Sequence, residues 1–416
     1  MPERKNKIAL VSDAFGHTMT ENGEQAITNG TVKFTSNLAI EAQRFGVDLH
    51  LLTTSPSYLG LDADNVRVFA PERMVYHNLP PTAQTHGGIA PISLTQYLDT
   101  FRPDVLSLST LGAPNASVAQ KWAQNNQVPI VATIHTHPGM LVKKATEELG
   151  LTADKIDRLC DITRKKISRL VKRLDLVIVR SPNSQNELEQ WGIEARYSVL
   201  KGGIDKQAYK PSESEDEVKA IRRQYGIGIN DFVMIFVGRF SPAKESEAVL
   251  KTYREAKKEK PSVRLVVVGN NSYYADMLSD LGQEGIIMLG ELPPEDVAKI
   301  IRSADIGIAP SPYETFGQAI AEMMSSGLPC LLPVEGGHRA FASPDSAILL
   351  PVFAENTHSI WVNQLLSCAN DCEARRKIGQ LARDCVPDLN DSFRDFIDIH
   401  NEVVIQSNST SFEVAS

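Results

Sequence analysis

At 416 residues the chain exceeds what one ordinary core supports, so two domains are expected. Its composition, 42% hydrophobic and 23% charged, is that of a globular protein, and no apolar run approaches the ~20 residues of a membrane span. A net charge of −8 argues against a general nucleic-acid binder.

The opening MPERKNKIALVSDAF runs straight into a strand-like segment, without the apolar core and cleavage site of an export signal. Cys160, Cys330, Cys368, Cys372 and Cys385 lack paired metal spacing. Reduced thiols in a cytoplasmic chain are therefore expected.

Short apolar runs follow in order: KIALVSD (7–13), DLHLLTT (48–54), NVRVFA (65–70), DVLSLST (104–110), PIVATIHT (129–136), DLVIVRS (175–181) and YSVLKG (197–202). Helix-patterned stretches separate them, and their near-continuous apolar character fits strands covered on both faces of a parallel sheet. The first connection, DAFGHTMTENGEQAITNG, reads as a long polar loop. KPSESEDE (210–217) is a polar linker. The alternation then restarts with DFVMIFVG, VRLVVVG, GIIMLG, DIGIAP, PCLLP and AILLP. Two such series predict two doubly wound α/β domains, each binding ligands outside the carboxyl ends of its strands. Residues 390–404 place Phe393, Phe396, Ile397 and Ile399 at helical spacing before a polar tail. The two halves also differ in charge. Residues 1–200 carry 21 Lys and Arg against 20 Asp and Glu, and the remainder 22 against 31.

The chemistry concentrates in SPYETFGQAIAEMMSSGLPCLLP (311–333). This stretch reads as a loop, a helix starting near Phe316–Gly317, and a stop at Gly327 and Pro329. The helix start offers free amides to a phosphate, with Glu314 beside it, and Gly317 permits a close approach. Glu322, on the helix, can accept hydrogen bonds from a ribose diol. The plainer alternative makes Glu314 a dipole-stabilising acid and Glu322 a solvated surface residue. Arg239 and Lys244, after the first strand of the second series, suit a diphosphate. Gly269 is a backbone approach point for a base or ribose.

These segments resemble a known family. VGR (237–239) with Lys244, VVVG (266–269), and the run from 289 to 331 with Glu314 and Glu322 separated by seven intervening residues are similar to the donor domain of retaining family 4 glycosyltransferases of the GT-B fold. NGTVKFTSNLAIEAQRFGVDLHLLTT, RPDVLSLST, IVATIHTHPG, DLVIVRSPNSQNELEQWGI and VLKGGIDKQAYKP resemble the family's first-domain landmarks in order. The His-Thr-His run and the Gly-Ile-Asp segment resemble lipid-directed members such as sulfoquinovosyl- and mannosyltransferases.

The resemblance implies two Rossmann-like domains facing each other across a cleft. The expected acceptor-side domain is 1–206, with helix 390–404 packing back on it, and the donor domain is 207–389. It implies that Glu314 meets donor-sugar hydroxyls and Glu322 the ribose. Arg239 and Lys244 would hold the departing diphosphate, with the amides of Phe316 and Gly317 and with Thr315 beside them. His135 would approach the sugar, and His137 the donor or acceptor. Gly30, or alternatively Gly16, would meet phosphate. The glycine that commonly follows the family's lysine is Glu245 here.

With cations and helix amides offsetting the leaving diphosphate, and no Asp-x-Asp motif at a strand end, neither a metal nor a cofactor is expected. The substrate expected is a nucleotide-sugar, UDP-sugar favoured, with retention and a lipid, glycan or small-molecule hydroxyl as acceptor. The alternatives are a sugar-nucleotide epimerase or hydrolase, and a non-catalytic sugar-nucleotide-binding subunit. The helix-patterned stretch 155–174 adds Arg164, Lys165, Lys166, Arg169, Lys172 and Arg173 to an apolar face. It is either a core helix with a solvated basic back or, with Lys143 and Lys144, a dock for an anionic acceptor or for anionic lipid at the inner face of a membrane.

Overall fold

The computed structural model describes residues 6–13, 17–20, 23–26, 30–53, 64–69, 72–74, 87–89, 92–140, 142, 146 and 150–415. They fall into two units, residues 1–200 with 392–416, and residues 201–391.

The first unit contains β1 (Ile8–Ser12), β2 (His17–Thr20), β3 (Gly23–Ala26), β4 (Leu49–Thr53), β5 (Val66–Val68), β6 (Glu72–Met74), β7 (Gly87–Ile89), β8 (Val105–Leu108), β9 (Ile130–Ile134), β10 (Leu176–Val179) and β11 (Tyr197–Val199). Seven of these form a parallel sheet in the order β11-β10-β9-β8-β1-β4-β5. Every residue of β1, β8, β9 and β10 is buried, because helices cover both faces. Side chains alternate with the pleat. Ile8 and Leu10 face Phe34 and Leu38 of helix Gly30–Phe45, together with Phe393 and Phe396 of the last helix, Leu389–Ala415. Ala9 and Val11 face Leu94, Leu98 and Trp122 on the other side. Two short antiparallel pairs are present: β2 with β3, in the first connection, which the sequence pattern marks as loop, and β6 with β7, between β5 and β8. Strands of three or four residues are too short to show a clear period.

The second unit contains β12 (Phe232–Val237), β13 (Val263–Val268), β14 (Ile286–Gly290), β15 (Ile306–Ile308), β16 (Cys330–Pro333) and β17 (Ile348–Leu350). They form a parallel sheet in the order β14-β13-β12-β15-β16-β17. Val233 and Ile235 pack against Ile300, Ile320 and Met324; Met234 and Phe236 pack against Val249, Tyr253 and Trp361.

From β12 the chain moves outward through β13 and β14, then returns to place β15 on the other side of β12. The strand order therefore reverses between β12 and β15. In the first unit it reverses between β1 and β8. Connections diverge above such a point and leave a crevice at the carboxyl ends of the strands.

Candidate active site

The loops that leave β12 and β15 flank the reversal point of the second unit. After β12 the chain makes a short 3₁₀ turn, Pro242–Lys244, and enters helix Ser246–Glu259. Lys244 Nζ donates to Glu314 Oε1 at 2.5 Å, and the side chains are 40% and 20% exposed. Both Lys244 and Glu314 thus stand at one point of the sheet edge, joined to each other.

The Glu314 loop ends at Gly317, whose φ of +88° turns the chain into helix Gln318–Ser325. Its N-cap residue, Gly317, has no side chain with which to cap it, and a helix start of this kind suits an anionic ligand. Phe316 is buried, its ring 5.0 Å from that of Phe341, and anchors the loop from below. A second loop locks the first. Gly337 N–H donates to the Glu314 carbonyl at 2.5 Å, and a Cβ on Gly337 would come 2.1 Å from the Thr315 carbonyl carbon. Only glycine allows two backbones this close. Glu322 is 3% exposed and accepts from Gln318 Nε2 at 3.2 Å, so it is not a solvated surface acid.

Strands β12, β13 and β14 each end at a glycine of positive φ, namely Gly238, Gly269 and Gly290. Gly269 N–H donates to the Gly290 carbonyl at 2.7 Å, and a Cβ on Gly269 would lie 2.2 Å from the Gly238 carbonyl oxygen. At Gly269 the backbones of neighbouring strand ends come closer than a side chain would allow. Arg239, next after Gly238, is exposed. Burial raises the Glu291 carboxyl, and the charge of Arg239 and a bond with Asn270 oppose the rise.

In the first unit, His135 follows β9 with its ring 4.9 Å from Phe34. The Arg180 guanidinium, at the end of β10, lies 4.2 Å from the same Phe34 ring centre. Burial first, then the Arg180 charge, pushes His135 down to about 3, and burial pushes Arg180 down to about 9. His135 is therefore a neutral imidazole at pH 7. His137 Nδ1 accepts from the Met140 N–H at 3.2 Å, and the ring lies 5.0 Å from Trp191. Burial lowers His137, and the Glu187 backbone carbonyl opposes the shift. Gly30 opens helix Gly30–Phe45 at an exposed position, and among the described residues beyond its own chain neighbours and helix backbone no atom lies within 4 Å of where a Cβ would stand. Gly16, Lys143 and Lys144 lie outside the described residues.

The reversal point of the first unit is occupied by the protein's own carboxylate. Asp13 accepts from the Asn115 and Ala116 amides at 3.1 and 2.8 Å, at the start of helix Pro114–Asn125. Burial raises the Asp13 carboxyl despite these bonds. In the second unit the residue after the corresponding strand is Gly238 and the N-cap of the corresponding helix is Gly317, so neither position carries an acid.

Helix Ala153–Val171 buries Ile156 and Val171. Leu159, expected on the same apolar face, is 38% exposed, and Ile162 is 62% exposed. Arg164 and Lys165 share Asp161, while Lys166, Arg169, Lys172 and Arg173 are exposed. The exposed face is thus basic with two apolar residues in it. Among the described residues, no helix is long and apolar enough to cross a membrane, and no His, Cys, Asp and Glu side chains gather as a metal site.

The profile described as Glycosyltransferase Family 4 matches residues 28–208, and that of Glycosyl transferases group 1 matches residues 217–384. The chain belongs to the family 4 glycosyltransferases. D-inositol 3-phosphate glycosyltransferase of Corynebacterium aurimucosum is 29% identical over 62% of this chain and 62% of its own length. Alpha-monoglucosyldiacylglycerol synthase of Streptococcus pneumoniae is 24% identical over 50% of this chain and 47% of its own. The chain thus spans about three fifths or less of these two relatives. Anabaena Alr3699/HepE, solved in complex with UDP and glucose, superposes with a TM-score of 0.70 at 18% identity, covering 95% of this chain and 99% of that one. The fold is GT-B, with two Rossmann-like sheets.

Against the family pattern, Glu245 replaces a glycine at a position of φ +56°, where glycine is the favoured residue. The sequence reading missed the locking loop Gly336-Gly337-His338. Its signal was the Gly-Gly pair just beyond a strand, the same kind of signal that marked Gly269. It also missed Asp13 and Arg180, each one residue past a strand.

Proposed function

We propose that this family 4 glycosyltransferase moves a sugar from a nucleotide-sugar, UDP-sugar favoured, to a hydroxyl acceptor with retention of the anomeric configuration. The observation that carries the reading is the Lys244–Glu314 pair at the reversal point, beside the uncapped start of helix Gln318–Ser325. A diphosphate placed there meets a lysine and the first-turn amides at once, and Arg239 stands two residues beyond the end of β12. Such preorganised donors stabilise the charge that develops as the sugar–phosphate bond breaks. That electrostatic supply supports transfer without a metal. Glu314 would accept from sugar hydroxyls while Lys244 turns from it to the phosphate. Glu322 would accept from the ribose diol, with Gln318 holding its other side.

The exposed basic residues Lys166 and Arg169 of helix Ala153–Val171, near Ile162, with Lys172 and Arg173 just past its end, support a lipid-bearing acceptor or an anionic bilayer as partner. Each basic residue near an anionic surface contributes about 1 kcal/mol, weakened by salt.

Thermal shift across UDP-, GDP- and ADP-sugars tests the donor: a true donor raises the melting temperature by mass action. The selected donor is then followed by NMR with an acceptor panel in excess chelator. A retained anomer, formed under chelation, is expected. An inverted product refutes the mechanism, and loss of activity that returns with added metal refutes metal independence. Sedimentation with anionic and neutral vesicles at two salt concentrations tests the partner; equal, negligible binding leaves a soluble acceptor.

A further inference from the structure

β16 ends at Pro333, and the residues after it fold under the Glu314 loop. His338 is fully buried in the short turn Gly337–Ala340. Its Nε2 lies 2.8 Å from the Pro333 carbonyl oxygen. A carbonyl only accepts, so the proton sits on Nε2 and Nδ1 is a bare acceptor. That Nδ1 is buried without a donor. A leucine would fill similar space without burying an unmet acceptor, but it could not bond to Pro333. The ring also supports its neighbours. A Cβ on Gly336 would lie 2.8 Å from His338 Cε1, and one on Gly317 would lie 3.5 Å from His338 Cβ. Gly337, between Gly336 and His338, donates to the Glu314 carbonyl.

We propose that His338 is a positioning residue for sugar transfer: anchored to Pro333, it fixes the Gly336-Gly337 turn and, through it, the placement of Glu314 over the start of helix Gln318–Ser325. The role rests on the donor-site reading given above. Burial lowers the basicity of His338, with the Pro333 carbonyl and Glu314 opposing and Arg339 adding to the shift, so the ring works uncharged.

The test is a double-mutant cycle in the full chain, with turnover on the nucleotide-sugar and calorimetric affinity for its nucleoside diphosphate. His338→Leu should lower kcat about 100-fold, the scale of a small misplacement of a reacting group, with affinity held within about 3-fold. Combined with Glu314→Gln, it should slow the enzyme no further than Glu314→Gln alone, because both changes remove the same placement. His338→Gln, whose amide nitrogen replaces Nε2, should restore most of kcat. Multiplying losses, or a wild-type kcat in His338→Leu, overturns the assignment. If the leucine variant does not fold, His338→Asn, too short to reach Pro333, takes its place with the same expectations. A wild-type protein that transfers nothing from any nucleotide-sugar removes the donor-site reading and this role together; transfer by the wild type with an unaffected His338 variant removes only this role.

Discussion

Lys244 Nζ and Glu314 Oε1 lie 2.5 Å apart, although 70 positions separate them in the chain. The contact exists because β15 pairs with β12 and not with its sequence neighbour β14. A half-exposed ion pair of this kind contributes only about 0–1 kcal/mol to stability. An arriving diphosphate can therefore take Lys244 from Glu314 at little cost, freeing the carboxylate for the sugar.

Lys244→Ala should separate function from folding. Turnover should fall about 100- to 1,000-fold, as when one oxyanion donor is removed. The melting temperature should move by no more than about 4 °C, since the pair contributes so little. Initial rates and a thermal melt on the same sample check both halves; normal rates would dismiss Lys244 from the site.

The two glutamates should fail in different ways. Glu314→Gln keeps the shape but removes the charge, so kcat should drop while affinity for nucleoside diphosphate stays within about 3-fold. Glu322→Ala, at a 3% exposed position, should weaken that affinity by about 1–3 kcal/mol through loss of charged hydrogen bonds. Titration calorimetry reads the second effect directly, and undiminished binding by Glu322→Ala would rule out its contact with the ribose.

Backbone conformation supplies a third pair of variants. Glu245→Gly should stabilise the second unit by about 0.5–1 kcal/mol: relief of the left-handed conformation exceeds the entropy that glycine adds to the unfolded chain. Gly337→Ala should cost about 1–3 kcal/mol or more, because its Cβ would press against the backbone of Glu314 and Thr315. Urea midpoints of the two variants should move in opposite directions, and a shared direction would contradict the geometry.

Acid should loosen the first unit through His400. This ring is fully buried on the last helix, with Nδ1–H donating to the Phe396 carbonyl at 2.7 Å. Burial pushes it down to about 4 from 6.5, the Phe396 carbonyl opposing. A lowered value means that the unfolded chain takes up the proton first. Stability is therefore full above about pH 6.5 and falls as pH drops toward 4, by about 1.4 kcal/mol per unit and roughly 3 kcal/mol in all. His400→Leu should flatten the dependence of the urea midpoint between pH 6.5 and 4.5. An unchanged slope would assign the acid sensitivity elsewhere, His135 being the next group with the same sign.

The long apolar runs were legible as parallel strands because a strand covered on both faces must be apolar along its whole length. Glu314 and Glu322 were legible because one helix start places them within a few residues of each other. The antiparallel pairs β2–β3 and β6–β7 were not, being too short and polar to show a period. Nor was the burial of Glu322, which depends on what covers its helix face. The contact of Lys244 with Glu314, the carboxylate of Asp13 filling one helix start while a glycine stands at the N-cap of the other, and His338 beneath the Glu314 loop appear only in three dimensions. Local pattern determines which residues form a strand or open a helix, since those choices are made over a few neighbouring bonds. Which loops meet is decided by strand order, and strand order is settled by the packing of whole layers, a property no short stretch of sequence contains.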